Sequence, residues 1–129
     1  MTLSVLCVED NRLNMQVMRH VIKRLQGVVL REAVTAEEGI EIALTERIDL
    51  IIMDIQLPGI NGFEALERLK QHEQTCTIPV IALSSFAEKA DIERGLEAGF
   101  TEYVTKPIRA VQFMKLLEQL LASEEAELS

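Results

Sequence analysis

Four short stretches carry the side chains that could do chemistry, and each closes or follows a run of apolar residues. Glu9 and Asp10 follow the run that ends at Val8, and Asp54 closes Leu50-Ile51-Ile52-Met53. Ser84 and Ser85 follow Ile81-Ala82-Leu83, and Lys106-Pro107 follows Val104-Thr105. Three carboxylates brought into one crevice could not all stay ionised without a compensating positive charge. Oxygen-only ligands of this kind suit a hard cation that keeps several waters, which points to Mg²⁺, with Mn²⁺ as a substitute. A lysine among them supplies a compact point charge for a phosphate or a carboxylate. Each residue also has a plain reading. Acids favour helix entries, Asp forms turns, serine hydroxyls bond nearby backbone, lysines are mostly solvated, and proline opens helices. What separates the two readings is whether the elements bring all four stretches to one place.

The apolar runs are short, and amphipathic segments alternate with them from end to end. Strands are expected over 3–8, 28–30 with an extension to 33, 50–54, 78–83 and 102–105. A helix over 12–26 would turn Leu13, Val17, Met18, Val21, Ile22 and Leu25 inward and stop at Gly27. Thr35 and Glu38 have the form of a capping box for a second helix, with Ala36, Ile40, Ala43 and Leu44 inward. Asn61 can cap a third helix carrying Phe63, Leu66 and Leu69. A fourth spans 87–98 and closes on Gly99, and the last carries Val111, Met114, Leu117, Leu120 and Leu121. Gly39 and Gly95 sit awkwardly inside two of these helices.

Five strands alternating with five helices predict an α/β fold with a parallel sheet between two helical layers. Strands without polar alternation fit a sheet covered on both faces. At 129 residues a flavodoxin-like (βα)5 sandwich with strand order 2-1-3-4-5 is the favoured arrangement. In such sheets ligands bind in the crevice at the carboxyl ends of the strands. All four stretches fall there.

Composition narrows the partners. The net charge is −8, from 13 Lys+Arg against 21 Asp+Glu, which disfavours direct nucleic-acid binding and docking on an anionic membrane. No apolar run approaches the length of a membrane span, and the N-terminus lacks a signal-peptide pattern. Cys7 and Cys76 stand far apart without metal-ligand spacing, so a zinc site is not expected. The expectation is one cytoplasmic domain over 1–122, followed at 123–129 by an acidic tail with Glu124, Glu125 and Glu127. That tail is too short for an output domain.

From Leu3 to about Leu121 the chain resembles the receiver domain of two-component response regulators. The resemblance rests on Val8-Glu9-Asp10-Asn11, on the loop Asp54-Ile55-Gln56-Leu57-Pro58-Gly59-Ile60-Asn61-Gly62, on Ala82-Leu83-Ser84 and on Lys106-Pro107-Ile108. It implies that Asp54 is a nucleophile that takes a phosphoryl group from a phosphohistidine, a reaction that needs mainly positioning and charge stabilisation. It implies Asp10, Asp54 and the Gln56 backbone carbonyl as Mg²⁺ ligands, with Glu9 assisting through water. Lys106 would bond Asp54 before transfer and a phosphoryl oxygen afterwards, and the Lys106–Pro107 peptide would be cis. Ser84 would donate to the phosphoryl group, and Tyr103 would turn inward with it. The face made by the fourth helix, fifth strand and fifth helix would then be read by a downstream effector.

The same resemblance names a histidine kinase or a histidine phosphotransfer protein as phosphoryl donor. It makes the chain a self-modifying switch, not an enzyme in the ordinary sense. Ser85 stands where the family more often has alanine, and Gln56 and Phe86 occupy variable positions that influence how long the phosphoryl group lasts. A small aspartyl-phosphate phosphatase is one alternative, but such enzymes of the haloacid dehalogenase kind carry a general acid two residues after the nucleophile, where this chain has Gln56. A flavin-binding relative would need a phosphate loop in place of Glu9-Asp10-Asn11. A phosphate-independent scaffold of the same fold is disfavoured because every phosphorylation residue is present.

Overall fold

A computed structural model describes residues 2–128, and the side chains of 2–124. Its elements run β1 (Leu3–Val8), α1 (Arg12–Lys23), β2 (Val28–Ala33), α2 (Ala36–Thr45), β3 (Leu50–Asp54), α3 (Gly62–Lys70), β4 (Val80–Ser84), α4 (Lys89–Ala98), β5 (Glu102–Thr105) and α5 (Ala110–Leu128). All strand pairs are parallel, in the order β2-β1-β3-β4-β5. This is the flavodoxin-like arrangement that the alternation of apolar and amphipathic segments implies.

Because strand side chains alternate between faces, each strand feeds two cores. Leu6, Val8, Ile51, Met53, Val80 and Ala82 pack with residues of α2 and α3. Val5, Cys7, Leu50, Ile52, Ile81 and Leu83 pack with α1 and α5. β3 and β4 are buried along their whole length, as central strands between two helical layers must be. β2, at the sheet edge, alternates and exposes Val29 and Arg31 to water.

The helix ends differ in detail from the sequence expectation. α1 stops at Lys23, and Gly27 (φ 71°) makes the turn into β2, its carbonyl accepting from Leu3 N–H at 2.8 Å. Met15, Met18, Val21 and Ile22 form the buried face of α1, whereas Leu13 is 71% exposed. The reason is angular: Leu13 lies about 200° around the helix from Met15, at roughly 100° per residue. On α5 it is Phe113, Leu117 and Leu121 that are buried, with Val111 exposed. β4 starts at Val80; Pro79 has no N–H to give, but its carbonyl accepts from Ile51 N–H at 3.0 Å. α4 starts at Lys89 because Glu88 N–H is taken by Asp91 Oδ2 at 3.3 Å. From 123 to 128 the backbone continues α5 without a break.

Gly39 and Gly95 are explained by close packing. A Cβ at Gly39 would stand 2.5 Å from a Val8 methyl, and one at Gly95 would stand 2.5 Å from the Tyr103 ring. Both helices approach the sheet closer than any side chain would permit.

Candidate functional site

Ladder bonds extend past the strand ends and hold the first residues of the loops. Glu9 N–H donates to Ala33 O at 3.0 Å, Ile55 N–H to Leu83 O at 2.9 Å, and Lys106 N–H to Ser84 O at 2.8 Å. The chemistry-bearing residues are therefore set by the sheet, which positions side chains more closely than a free loop does. The Lys106–Pro107 peptide is cis.

One group of residues converges. Carboxylate oxygens of Glu9, Asp10 and Asp54 lie within 4.8 Å of one another. Lys106 Nζ stands 2.8 Å from Asp54 Oδ2 and 3.1 Å from Glu9 Oε1. The remaining Asp54 oxygen, Oδ1, accepts from Gln56 N–H at 2.8 Å. Glu9 and Asp54 are 1% and 2% exposed, while Asp10 faces solvent.

Burial and the adjacent Asp54 push the Glu9 carboxyl up to about 7. Burial acts the same way on Asp54, but the adjoining Glu9 carboxyl, the Lys106 ammonium and the Gln56 N–H outweigh it and hold Asp54 below its ordinary value. Burial would lower Lys106, yet the two carboxylates beside it hold its pKa above the ordinary value. The two acids therefore contribute to stability with opposite signs. Glu9 gives stability that is full below its ordinary value of 4.5 and lost as pH rises through about 7. Asp54 gives stability present above its ordinary value of 3.8 and lost as pH falls below it.

This donor set fits a hard divalent cation. All its atoms are carboxylate oxygens, and Glu9 Oε2 is buried with no hydrogen-bond partner among the described residues. A buried, unpartnered carboxylate oxygen is costly unless a positive or donating group faces it. A ligand that binds only the folded state at one hundred times its Kd adds about 2.7 kcal/mol. Saturating Mg²⁺ is therefore expected to raise the Tm of the wild-type chain by several degrees. The Asp10→Asn variant should lose that rise while matching or exceeding the metal-free wild type in Tm. Scanning calorimetry with MgCl₂ and with a chelator checks this, and an equal rise in both proteins would contradict it.

A second group forms beside the first. Ser84 is fully buried, and its Oγ accepts from Phe86 N–H at 3.0 Å, which leaves the hydroxyl proton free to donate elsewhere. The Phe86 carbonyl accepts from the Tyr103 hydroxyl at 2.7 Å, so the backbone of one residue joins Ser84 to Tyr103. The Tyr103 ring is half-buried against Gly95, while the Phe86 side chain is 52% exposed. A Gly95→Ala methyl would stand 2.5 Å and 2.9 Å from two Tyr103 ring carbons. Gly95→Ala is expected to displace the ring and break its bond to Phe86. Global stability should move by less than about 1 kcal/mol, since the lost bond and the better helix former offset each other. Tyr103 is the one tyrosine in a chain without tryptophan, so its ultraviolet fluorescence reports the displacement. An unchanged spectrum would contradict the packing argument.

Two connections had no strong sequence signal. The Asn14 side chain in α1 donates to Glu9 Oε1 at 2.6 Å. The Gln56 side chain accepts from both the N–H and the hydroxyl of Ser85, at 2.9 and 2.7 Å, tying the loop after β3 to the loop after β4. The only available cue for Asn14 was its place in the first turn of a helix, where side chains lean back toward the preceding strand end.

Comparison with known proteins adds to this geometry. Residues 5–118 match the family described as the response regulator receiver domain. The chain is 40% identical over 121 residues to the polar-differentiation response regulator DivK of Brucella ovis, covering 94% of this chain and 98% of that protein. It is 39% identical over 118 residues to DivK of Brucella anthropi, covering 92% and 95%. Among solved structures, it is similar to the receiver domain of a sensor histidine kinase from Pseudomonas aeruginosa PAO1, with a magnesium ion coordinated in its active-site cleft. That likeness has a TM-score of 0.84 and 28% identity, covering 95% of this chain and 99% of that one. A signal receiver domain of a histidine kinase from Syntrophus aciditrophicus matches with a TM-score of 0.82 and 28% identity, covering 93% and 90%.

Proposed function

The chain belongs to the response regulator receiver domain family, and on that premise we propose that it is a phosphorylation-dependent switch that accepts a phosphoryl group from a phosphohistidine onto Asp54. The observation that carries this reading is the Lys106 Nζ contact to Asp54 Oδ2, 2.8 Å long, beside a cluster of three carboxylates within 4.8 Å. An Asp54 oxygen attacks phosphorus as the donor's P–N bond breaks, and the bonding pair leaves with the imidazole. Asp54 suits the role because its depressed pKa keeps it ionised at neutral pH. Lys106 is within reach of the negative charge that moves onto the phosphoryl oxygens. Asp10, Asp54 and the Gln56 carbonyl would hold Mg²⁺, with Mn²⁺ as a substitute and Glu9 assisting through water. When bound, the cation offsets repulsion between the phosphoryl oxygens and the carboxylates.

Ser84 has its hydroxyl proton free to bond a phosphoryl oxygen, and its tie to Phe86 passes any movement to Tyr103. The face formed by α4, β5 and α5 is then the surface a downstream effector would read, and a histidine kinase or phosphotransfer protein would be the donor. The chain in this reading modifies itself and is not a multiple-turnover enzyme; it acts in the cytoplasm. Among the described residues no helix is long and apolar enough to cross a membrane. The test is incubation with acetyl phosphate, read by intact mass. The reading requires one phosphoryl adduct in Mg²⁺ and none in chelator. Absence of an adduct under both conditions, with no Mg²⁺ binding, would sink it.

A further inference from the structure

The two oxygens of Glu9 have unequal surroundings. Oε1 takes two donors, the Asn14 side-chain amide at 2.6 Å and Lys106 Nζ at 3.1 Å. Oε2 is buried and has none among the described residues. Asn14 is itself anchored, since its backbone N–H donates to the Asn11 side chain at 3.0 Å and the next residue, Met15, is buried in the core. We infer that Asn14 is a positioning residue of the cation site, holding Glu9 by one oxygen so that the other stays turned toward a bound Mg²⁺ and its water shell.

This rests on the functional reading above, and it adds a residue from outside the converging acids. Without the Asn14 amide, Glu9 keeps one donor, Lys106, which it shares with Asp54. A carboxylate with one shared donor and no neighbouring amide is free to rotate and offer Lys106 either oxygen. The plainer role for Asn14, satisfying a buried acid for stability, makes a different prediction. It lowers the Tm on removal but leaves the cation's affinity alone. Groups that orient metal ligands without touching the metal alter affinity by about 10–100-fold.

The experiment is calorimetric titration of the full chain with MgCl₂, in four variants. Asn14→Ala removes the amide and favours the helix; Asn14→Leu removes it at nearly constant size. Both are expected to raise the Mg²⁺ Kd by about tenfold. The Mg²⁺ concentration giving half-maximal phosphoryl uptake should rise by the same factor. In a Glu9→Gln background, the Asn14→Ala change should have no further effect on Kd, because the oxygen that it orients is gone. Unchanged affinity in Asn14→Ala and Asn14→Leu, against tight wild-type binding, would overturn this inference alone. So would an equal loss in the Glu9→Gln background. A wild-type chain that binds no Mg²⁺ would overturn the functional reading and this inference together.

Discussion

Asp54→Asn protein incubated with Mg²⁺ and acetyl phosphate is expected to gain no phosphoryl group under conditions in which the wild-type chain gains one. The carboxamide is close in shape and keeps an oxygen that can accept from Gln56 N–H, so the fold should survive. What it loses is the nucleophile. A neutral amide oxygen does not attack phosphorus at a useful rate, and among the described residues no other acid stands in the same relation to Lys106. Glu9 also touches Lys106, but burial pushes its carboxyl up to about 7 while Asp54 is held below its ordinary value, so Asp54 is the more readily ionised of the two. Asp10 faces solvent and no Lys106 contact to it is seen. Asp91→Asn, which alters an acid in α4, serves as the control and should keep full uptake. Intact mass reads both. An undiminished adduct on Asp54→Asn would remove the basis of the account.

Lys106→Ala is expected to slow phosphoryl uptake by about 10²–10³-fold, the usual cost of deleting one preorganised group that stabilises developing charge. Mg²⁺ binding should persist, because the carboxylates remain. The metal-free protein should also lose stability, because two buried carboxylates then face each other without a cation. The loss should be smaller than the ~3–5 kcal/mol typical of breaking a fully buried pair. Lys106 retains 16% side-chain exposure, and Glu9 can take up a proton instead. Stopped uptake assays and denaturant melts, each with and without Mg²⁺, separate the two effects. Uptake within a few-fold of wild type would show that Lys106 supports the fold and not the transfer.

The strand ends were readable in the sequence for a physical reason. A sheet covered on both faces forces its strands to be apolar, so a charged or hydroxyl residue marks where the strand leaves the core. Glu9, Asp54, Ser84 and Lys106 each stand at such a break, and the parallel topology gathers those breaks at one edge. Helix faces were read less well. Leu13 and Val111 are apolar and near the right spacing, yet both are exposed, while Met15 and Phe113 take the core. Apolar type alone does not fix the phase of a short helix. Gly95 reads in the sequence as a weakness in α4, and in the structure it is the notch that admits Tyr103. Asn14 and the Gln56–Ser85 link carried only a weak signal, because a single polar residue in a helix turn or loop looks the same whether it faces water or a carboxylate.

In the proposed switch, Asp54 carries the phosphoryl group as an acyl phosphate. Borohydride reduces an acyl phosphate to the alcohol and leaves serine and histidine phosphates unreduced. The wild-type chain, phosphorylated by acetyl phosphate in Mg²⁺, reduced and digested, should therefore contain homoserine at position 54 and at no other acid. Homoserine at position 10, or a phosphoryl group that survives reduction on Ser84, His20 or His72, would contradict the account.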